Sequence, residues 1–314
     1  MSLFIFLLVL LIIDLVVIVV LTIYAGHLRG EETMEQKSEQ CETAGFPMQA
    51  YSRTETIQGP QQRQAVQVGP AVFGKAHNIG SRAEQQDSFG KSEVFQGQGV
   101  LAVVADGMGG LSGGDQVSQH IVMGMLNYAA QLQTGQMDGV LQQMVGRVNE
   151  DINRILGPAG LYKSGSTLLA VLVERDSFHW IAVGDSRIYL YREGCLLQVN
   201  QEHTQLQEWM SDVLDGKMSY TEAMQNPESK KLTSFIGMGK LKHVDSSLRS
   251  VKIARGDRIL LMSDGVFGTL SEQEMADLLK EYTDVQQAAN MFEQKILAAQ
   301  IPGQDNFTVV ILGF

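Results

Sequence analysis

Asp106 ends an apolar run at residues 100–105 and leads into the glycine-rich stretch 107–114. A carboxylate at a strand end, beside residues that let backbone approach closely, suits a hard cation. One such instance has little weight, because Asp-Gly is a common turn dipeptide. Here the pattern recurs. Residues 259–262 end in Ser263-Asp264-Gly265, residues 181–183 end in Gly184-Asp185-Ser186-Arg187, and Asp305-Asn306 opens the run 307–312. Divalent cations prefer oxygen ligands, and clustered carboxylates need such charge to offset their repulsion. Whether aspartates so far apart in sequence converge depends on the elements that carry them.

Composition narrows the class. The chain has 314 residues, enough for one large domain or two small ones, and 44% hydrophobic content is ample for a core. A formal net charge of −11, without any basic stripe, argues against nucleic acid as a partner. Cys41 and Cys195 form neither a framework nor a metal-ligand spacing and are expected to be reduced. The histidines are scattered, which disfavours a zinc enzyme.

The elements that must position these aspartates follow from the apolar pattern. Residues 3–23 are apolar except for Asp14 and Thr22; at about 1.5 Å per residue they would span roughly 30 Å of bilayer. A cleaved signal peptide would need a basic start and a cleavage site, which are missing. A transmembrane anchor at residues 1–24 is therefore expected. Arg29 and Lys37 after the span place the rest of the chain in the cytoplasm, as a single-pass protein of the cell membrane. Asp14 is either a tolerated, protonated acid or a polar contact to a partner membrane helix. Residues 25–70 are polar and aperiodic and read as a flexible linker. Folded structure is expected over 71–314. Residues 80–90 read as a polar loop, Asp115 as a helix cap, and 139–156 as a helix. Residues 166–173, 178–183, 187–191 and 195–199 read as a meander of strands. The polar segment 202–247 looks like an insertion over the sheet. Strands at 250–253 and 257–262, helices at 272–282 and 284–299, and the last strand complete the chain. Grouped rather than alternating elements favour an α+β layered domain.

The ordered set Asp106-Gly107-Met108-Gly109-Gly110, Gly165-Ser166-Thr167, Gly184-Asp185-Ser186-Arg187, Ser263-Asp264-Gly265 and Asp305-Asn306 resembles the PPM/PP2C-type metal-dependent protein serine/threonine phosphatases, in a bacterial form. The resemblance covers about residues 72–314. It implies a β-sandwich flanked by helices, in α-β-β-α layers. It also implies two tightly bound Mn2+ or Mg2+ ions and a third, more weakly held one. By the resemblance Asp106 bridges the two ions, the Gly107 carbonyl binds one, Asp264 and Asp305 bind the other, and Asp185 serves the third. Arg82 matches the arginine that grips substrate phosphate, and a guanidinium suits a phosphate dianion by its fork geometry. Asp87 matches an acid that acts through water. The implied reaction is attack of a hydroxide held between the ions on phosphoserine or phosphothreonine in proteins, opposing a serine/threonine kinase. Segment 202–247 corresponds to the family's variable flap.

Two positions depart from the family pattern. Gln85 stands where Asn is usual, and Met108 stands where some members carry a histidine as general acid. Taken alone, Arg82 reads as a surface arginine. Two other functions stay open: a phosphoprotein-binding scaffold with weak catalysis, and a hydrolase of small phosphate esters.

Overall fold

The run 100–105 does form a strand, and its neighbours explain why it is apolar on both faces. In the computed structural model, which describes residues 71–109, 113–135 and 137–314, the chain opens with β1 (Val72–Asn78), β2 (Asp87–Val94) and β3 (Gly99–Gly109). Two helices follow, α1 (Gly114–Ala129) and α2 (Val140–Gly160), the latter kinked at Gly157 before Pro158. Then come β4 (Ser164–Ser166), β5 (Leu168–Glu174), β6 (Ser177–Val183), β7 (Arg187–Arg192) and β8 (Cys195–Gln198). Short helices α3 (Gln205–Leu214) and α4 (Tyr220–Gln225) precede β9 (Asp245–Ser246), β10 (Val251–Lys252) and β11 (Arg258–Met262). The chain ends through α5 (Asp264–Phe267), α6 (Glu272–Glu281), α7 (Val285–Ala298) and β12 (Phe307–Gly313).

The strands form two antiparallel sheets. One has the order β1-β12-β11-β7-β8; the other runs β10-β6-β5-β3-β2, with β4 added to β3 and β9 to β6. Successive side chains of a strand point to opposite faces. On β3, Val100, Ala102 and Val104 pack between the sheets, while Leu101, Val103 and Ala105 pack under α1 and α2. On β12, Val310 and Leu312 face the other sheet, while Phe307, Val309 and Ile311 face α6 and α7. Both sheets are thus covered on both faces, giving the layers α-β-β-α.

Several expectations need correction. Residues 80–90 are not all loop: β2 begins at Asp87, paired residue for residue with β3. β3 does not break at Asp106 but continues through Gly109, where β4 pairs with it. The meander is interrupted, because β6 and β7 lie in different sheets and the chain crosses between them at Gly184–Ser186. Asp115 sits inside the first turn of α1, whose cap is Gly113. Cys195 is buried at the start of β8, and Cys41 lies outside the described residues. The span at 3–23 with Asp14 and the linker at 25–70 lie outside the described residues. Among the described residues no helix is long and apolar enough to cross a membrane.

Candidate active site

The alternation of each strand decides where its polar end points. Asp106 follows Val100, Ala102 and Val104 on the inner face of β3, and its cross-strand partner on β2 is Asp87. Ser263 continues the inner positions Ile259 and Leu261 of β11, and Thr308 precedes the inner positions Val310 and Leu312 of β12. These residues meet at one end of the sandwich. Both Ser263 Oγ and Thr308 Oγ1 donate to Asp87 Oδ2, at 2.6 and 2.7 Å. Asp87 Oδ1 is buried and has no hydrogen-bond partner among the described residues.

Asp185 enters from the crossing between sheets, Asp264 from the start of α5, and Asp305 from the turn before β12. Their charges act on one another. Burial, then the charges of Asp87, Asp264, Asp185 and Asp305, holds the Asp106 carboxyl well above the ordinary carboxylate range. Burial pushes Asp87 up to about 6, against the hydrogen bonds from Ser263 and Thr308 and with the help of Asp264 and Asp305. Asp185 is pushed up to about 7 by burial, Asp264 and Glu202. Asp264 is raised by burial and Asp305, while Lys230 and Arg82 pull it down. All five carboxylates therefore share one field.

They do not yet form a closed shell. Among the described residues, no group of three His, Cys, Asp or Glu side chains stands close enough to hold one ion. Like charges repel, and Arg82 holds Asp305 in a salt bridge of 2.6 Å. Among the described residues Asp106, Asp264 and Asp305 thus act on one another's charge without forming one ligand group. Arg82 lies at the surface, where it pairs with Asp305 and also acts on Asp264.

The sequence profile described as Protein phosphatase 2C matches residues 74–301. The chain belongs to the protein phosphatase 2C family. A serine/threonine phosphatase, stp, of Listeria welshimeri is 30% identical over 237 residues, covering 74% of this chain and 90% of that protein. The phosphatase PstP of Mycobacterium tuberculosis is 30% identical over 232 residues, covering 73% of this chain and 42% of the relative. A solved S. agalactiae serine/threonine phosphatase superposes with a TM-score of 0.68 at 24% identity, over 77% of this chain and 99% of the other. The PstP catalytic domain, solved in complex with two manganese ions, superposes at 0.63 with 26% identity, over 77% and 97%.

Within this PP2C site, several residues support the aspartates. Thr167 Oγ1 accepts from the Asp106 amide at 3.0 Å, and the Asp106 carbonyl accepts from the Thr167 amide at 2.9 Å. Asn306 clamps the loop that holds Arg82: its Nδ2 donates to the carbonyls of Ile79 and Glu84, and its Oδ1 accepts from the Gln86 amide. Gln85 Oε1 accepts from the Asp87 amide at 3.1 Å, which gives the departing residue a local role at the start of β2. The sequence signal for Asn306 was its place beside Asp305. Ser263 carried a similar signal beside Asp264, whereas nothing in spacing marked Thr308 or Lys230.

The donor set fits a hard divalent cation. It is all oxygen, it concentrates negative charge where burial disfavours it, and it includes an unpaired buried oxygen on Asp87. Gly107 suits the same place. It packs backbone to backbone against Gly114 and Gln86, so a Cβ there would collide with the Gly114 carbonyl.

Proposed function

We propose that this chain is a metal-dependent protein phosphatase that hydrolyses phosphoserine and phosphothreonine in proteins. The observation that carries the reading is the meeting of Asp87, Asp106, Asp185, Asp264 and Asp305, from five separate segments, at one end of a PP2C-family sandwich. Two Mn2+ or Mg2+ ions, when bound, supply activated water and neutralise charge on the phosphate. Asp106 and the Gly107 carbonyl would hold one ion, Asp106, Asp264 and Asp305 the other, and Asp185 a third, weaker one. Asp87 keeps Oδ2 in its two hydroxyl bonds and offers Oδ1 to orient water. Arg82 reaches the cleft from its loop and grips the phosphate oxygens as a fork donor. Met108 provides no proton, so solvent protonates the leaving alkoxide.

The test is turnover of phosphoserine and phosphothreonine peptides by the full chain, with Mn2+ and with excess chelator. Mn2+-dependent release of phosphate is expected. Phosphopeptide binding without turnover would make the chain a scaffold instead, and turnover of small esters alone would make it a metabolite hydrolase.

The membrane reading belongs to this proposal. Residues 3–23 and the Arg29/Lys37 bias support a single span with residues 71–314 as a cytoplasmic phosphatase domain, where a serine/threonine kinase would supply its substrates. Segment 202–247, with α3 and α4, is read as the flap beside the cleft. Protease added to intact cells should spare residues 71–314. Their digestion from outside would reverse the orientation.

A further inference from the structure

The Arg82 loop and the Asp305 turn are built as one unit. Gly80 has φ +62 and packs directly on the backbone of Gln304 and Asp305, where a Cβ would collide with the Asp305 carbonyl. The Ser81 amide donates to the Gln304 carbonyl at 2.8 Å, and Asn306 Nδ2 holds the carbonyls of Ile79 and Glu84. This backbone docking delivers Arg82 Nη2 to Asp305 Oδ2 at 2.6 Å, while Asp305 Oδ1 accepts from the Asn306 amide at 2.8 Å. Both carboxylate oxygens of Asp305 are thus engaged, one of them by a full positive charge. The same guanidinium acts on Asp264.

We propose that Arg82 is the built-in competitor of the divalent ion at Asp305, and that ion binding is what releases Arg82 toward the substrate phosphate. The inference rests on the metal-dependent reading above and adds an order of events to it. A cation held by the Asp305 carboxylate would lie about 2.0–2.6 Å from one of its oxygens, beside the guanidinium that already occupies Oδ2. The two positive charges repel at such a distance, so one must give way. Arg82 is the one able to move, because its side chain is 55% exposed and carries several rotatable bonds, whereas Asp305 is pinned by Asn306. Once displaced, the guanidinium remains tethered by its loop at the cleft. A phosphate dianion then finds a free fork donor only where the ion is already in place. Substrate grip is thereby made conditional on metal loading.

The test is a calorimetric titration of the full chain with Mn2+, which reads metal affinity and not turnover. A half-exposed pair of this kind contributes about 0.2–1 kcal/mol, equivalent to roughly a 1.4- to 5-fold change in affinity. Arg82→Ala is therefore expected to bind one Mn2+ about 1.4- to 5-fold more tightly than wild type. Arg82→Lys, which keeps the charge, should stay near wild type. In an Asp305→Asn background the Arg82→Ala gain should vanish, since the competition runs through that carboxylate. Equal or weaker binding by Arg82→Ala overturns the proposal. So does an undiminished gain in the Asp305→Asn background, which would reveal only a general change of charge. If neither wild type nor Arg82→Ala binds Mn2+, the metal-dependent reading itself falls, and the competition with it.

Discussion

Asp87 illustrates how the cleft assigns different tasks to two oxygens of one carboxylate. Oδ2 takes both neighbouring hydroxyls, Ser263 and Thr308, and Oδ1 is left without a partner in a buried place. A buried acceptor with no donor costs on the order of 1–3 kcal/mol, so a cleft that keeps one is expected to use it. Ser263→Ala removes one of the two bonds that aim the carboxylate without touching a proposed ligand. Supporting groups of this sort are typically worth about 10- to 100-fold, so kcat should fall by roughly that much with KM little changed. The Ser263 hydroxyl also accepts from the Thr308 amide at 2.9 Å, and its loss should lower stability by about 1–3 kcal/mol. Wild-type kinetics in a destabilised Ser263→Ala protein would limit these hydroxyls to a structural role. Asp106→Asn and Asp264→Asn should act more severely, cutting turnover by several orders of magnitude with an unchanged circular dichroism spectrum. Each removes charge from the ions proposed to activate water. A full-speed Asp264→Asn enzyme would end the mechanism.

At the scale of elements, what was legible in the sequence was whatever buried both faces of a strand. Residues 100–105, 168–173 and 259–262 are uninterrupted apolar runs because each lies in a sheet covered on both sides, and such runs announce themselves. β1 and β2 did not. They carry Lys75, His77, Ser88 and Lys91 and take their strand conformation from pairing with β12 and β3, a contact between distant segments that no local pattern records. The crossing from β6 to β7 was hidden for a related reason. Gly184, with φ +108, turns the chain toward the second sheet, and His203 from beyond β8 secures the turn. The His203 amide donates to the Gly184 carbonyl at 2.8 Å, and the Gly184 amide donates to His203 Nδ1 at 3.0 Å. His203 must stay unprotonated at Nδ1 to accept that bond. Burial, then the charge of His243, pushes its pKa down to about 4 from the ordinary 6.5. Between those values the unfolded chain binds the proton and the folded one does not, so stability rises with pH through this window and is lost as pH falls below about 6.5. His203→Gln, an uncharged residue that can still accept, should remove this part of the dependence. Urea unfolding of both proteins from pH 4.5 to 7.5 checks it; parallel profiles would mean that His203 does not couple the turn to pH.

For the whole molecule, the site works against the fold that carries it. The sandwich brings five aspartates to one end, and burial with mutual repulsion makes each of Asp87, Asp106, Asp185 and Asp264 harder to ionise than in an unfolded chain. A carboxyl whose folded pKa is raised binds more proton when folded, so its contribution is favourable at low pH and is lost as pH rises. With Asp87 at about 6 and Asp185 at about 7 against an ordinary value of 3.8, the loss should run from about pH 4 to about pH 7. A divalent ion that binds only the folded chain opposes it, stabilising by an amount that grows with free ion over Kd. Because the ion needs ionised carboxylates, its affinity and its stabilisation should both grow over the same pH range. Thermal unfolding of the full chain in Mn2+ and in chelator should therefore show a Tm gap that widens steadily between pH 5 and pH 7.5. His203 contributes equally to both curves and leaves the gap untouched. In Asp106→Asn the gap should shrink at every pH, since the residue proposed to sit between both ions has lost its charge. A gap of constant width, or one that narrows toward neutral pH, would mean that these aspartates are not the ligands and that their strain is relieved by some other group.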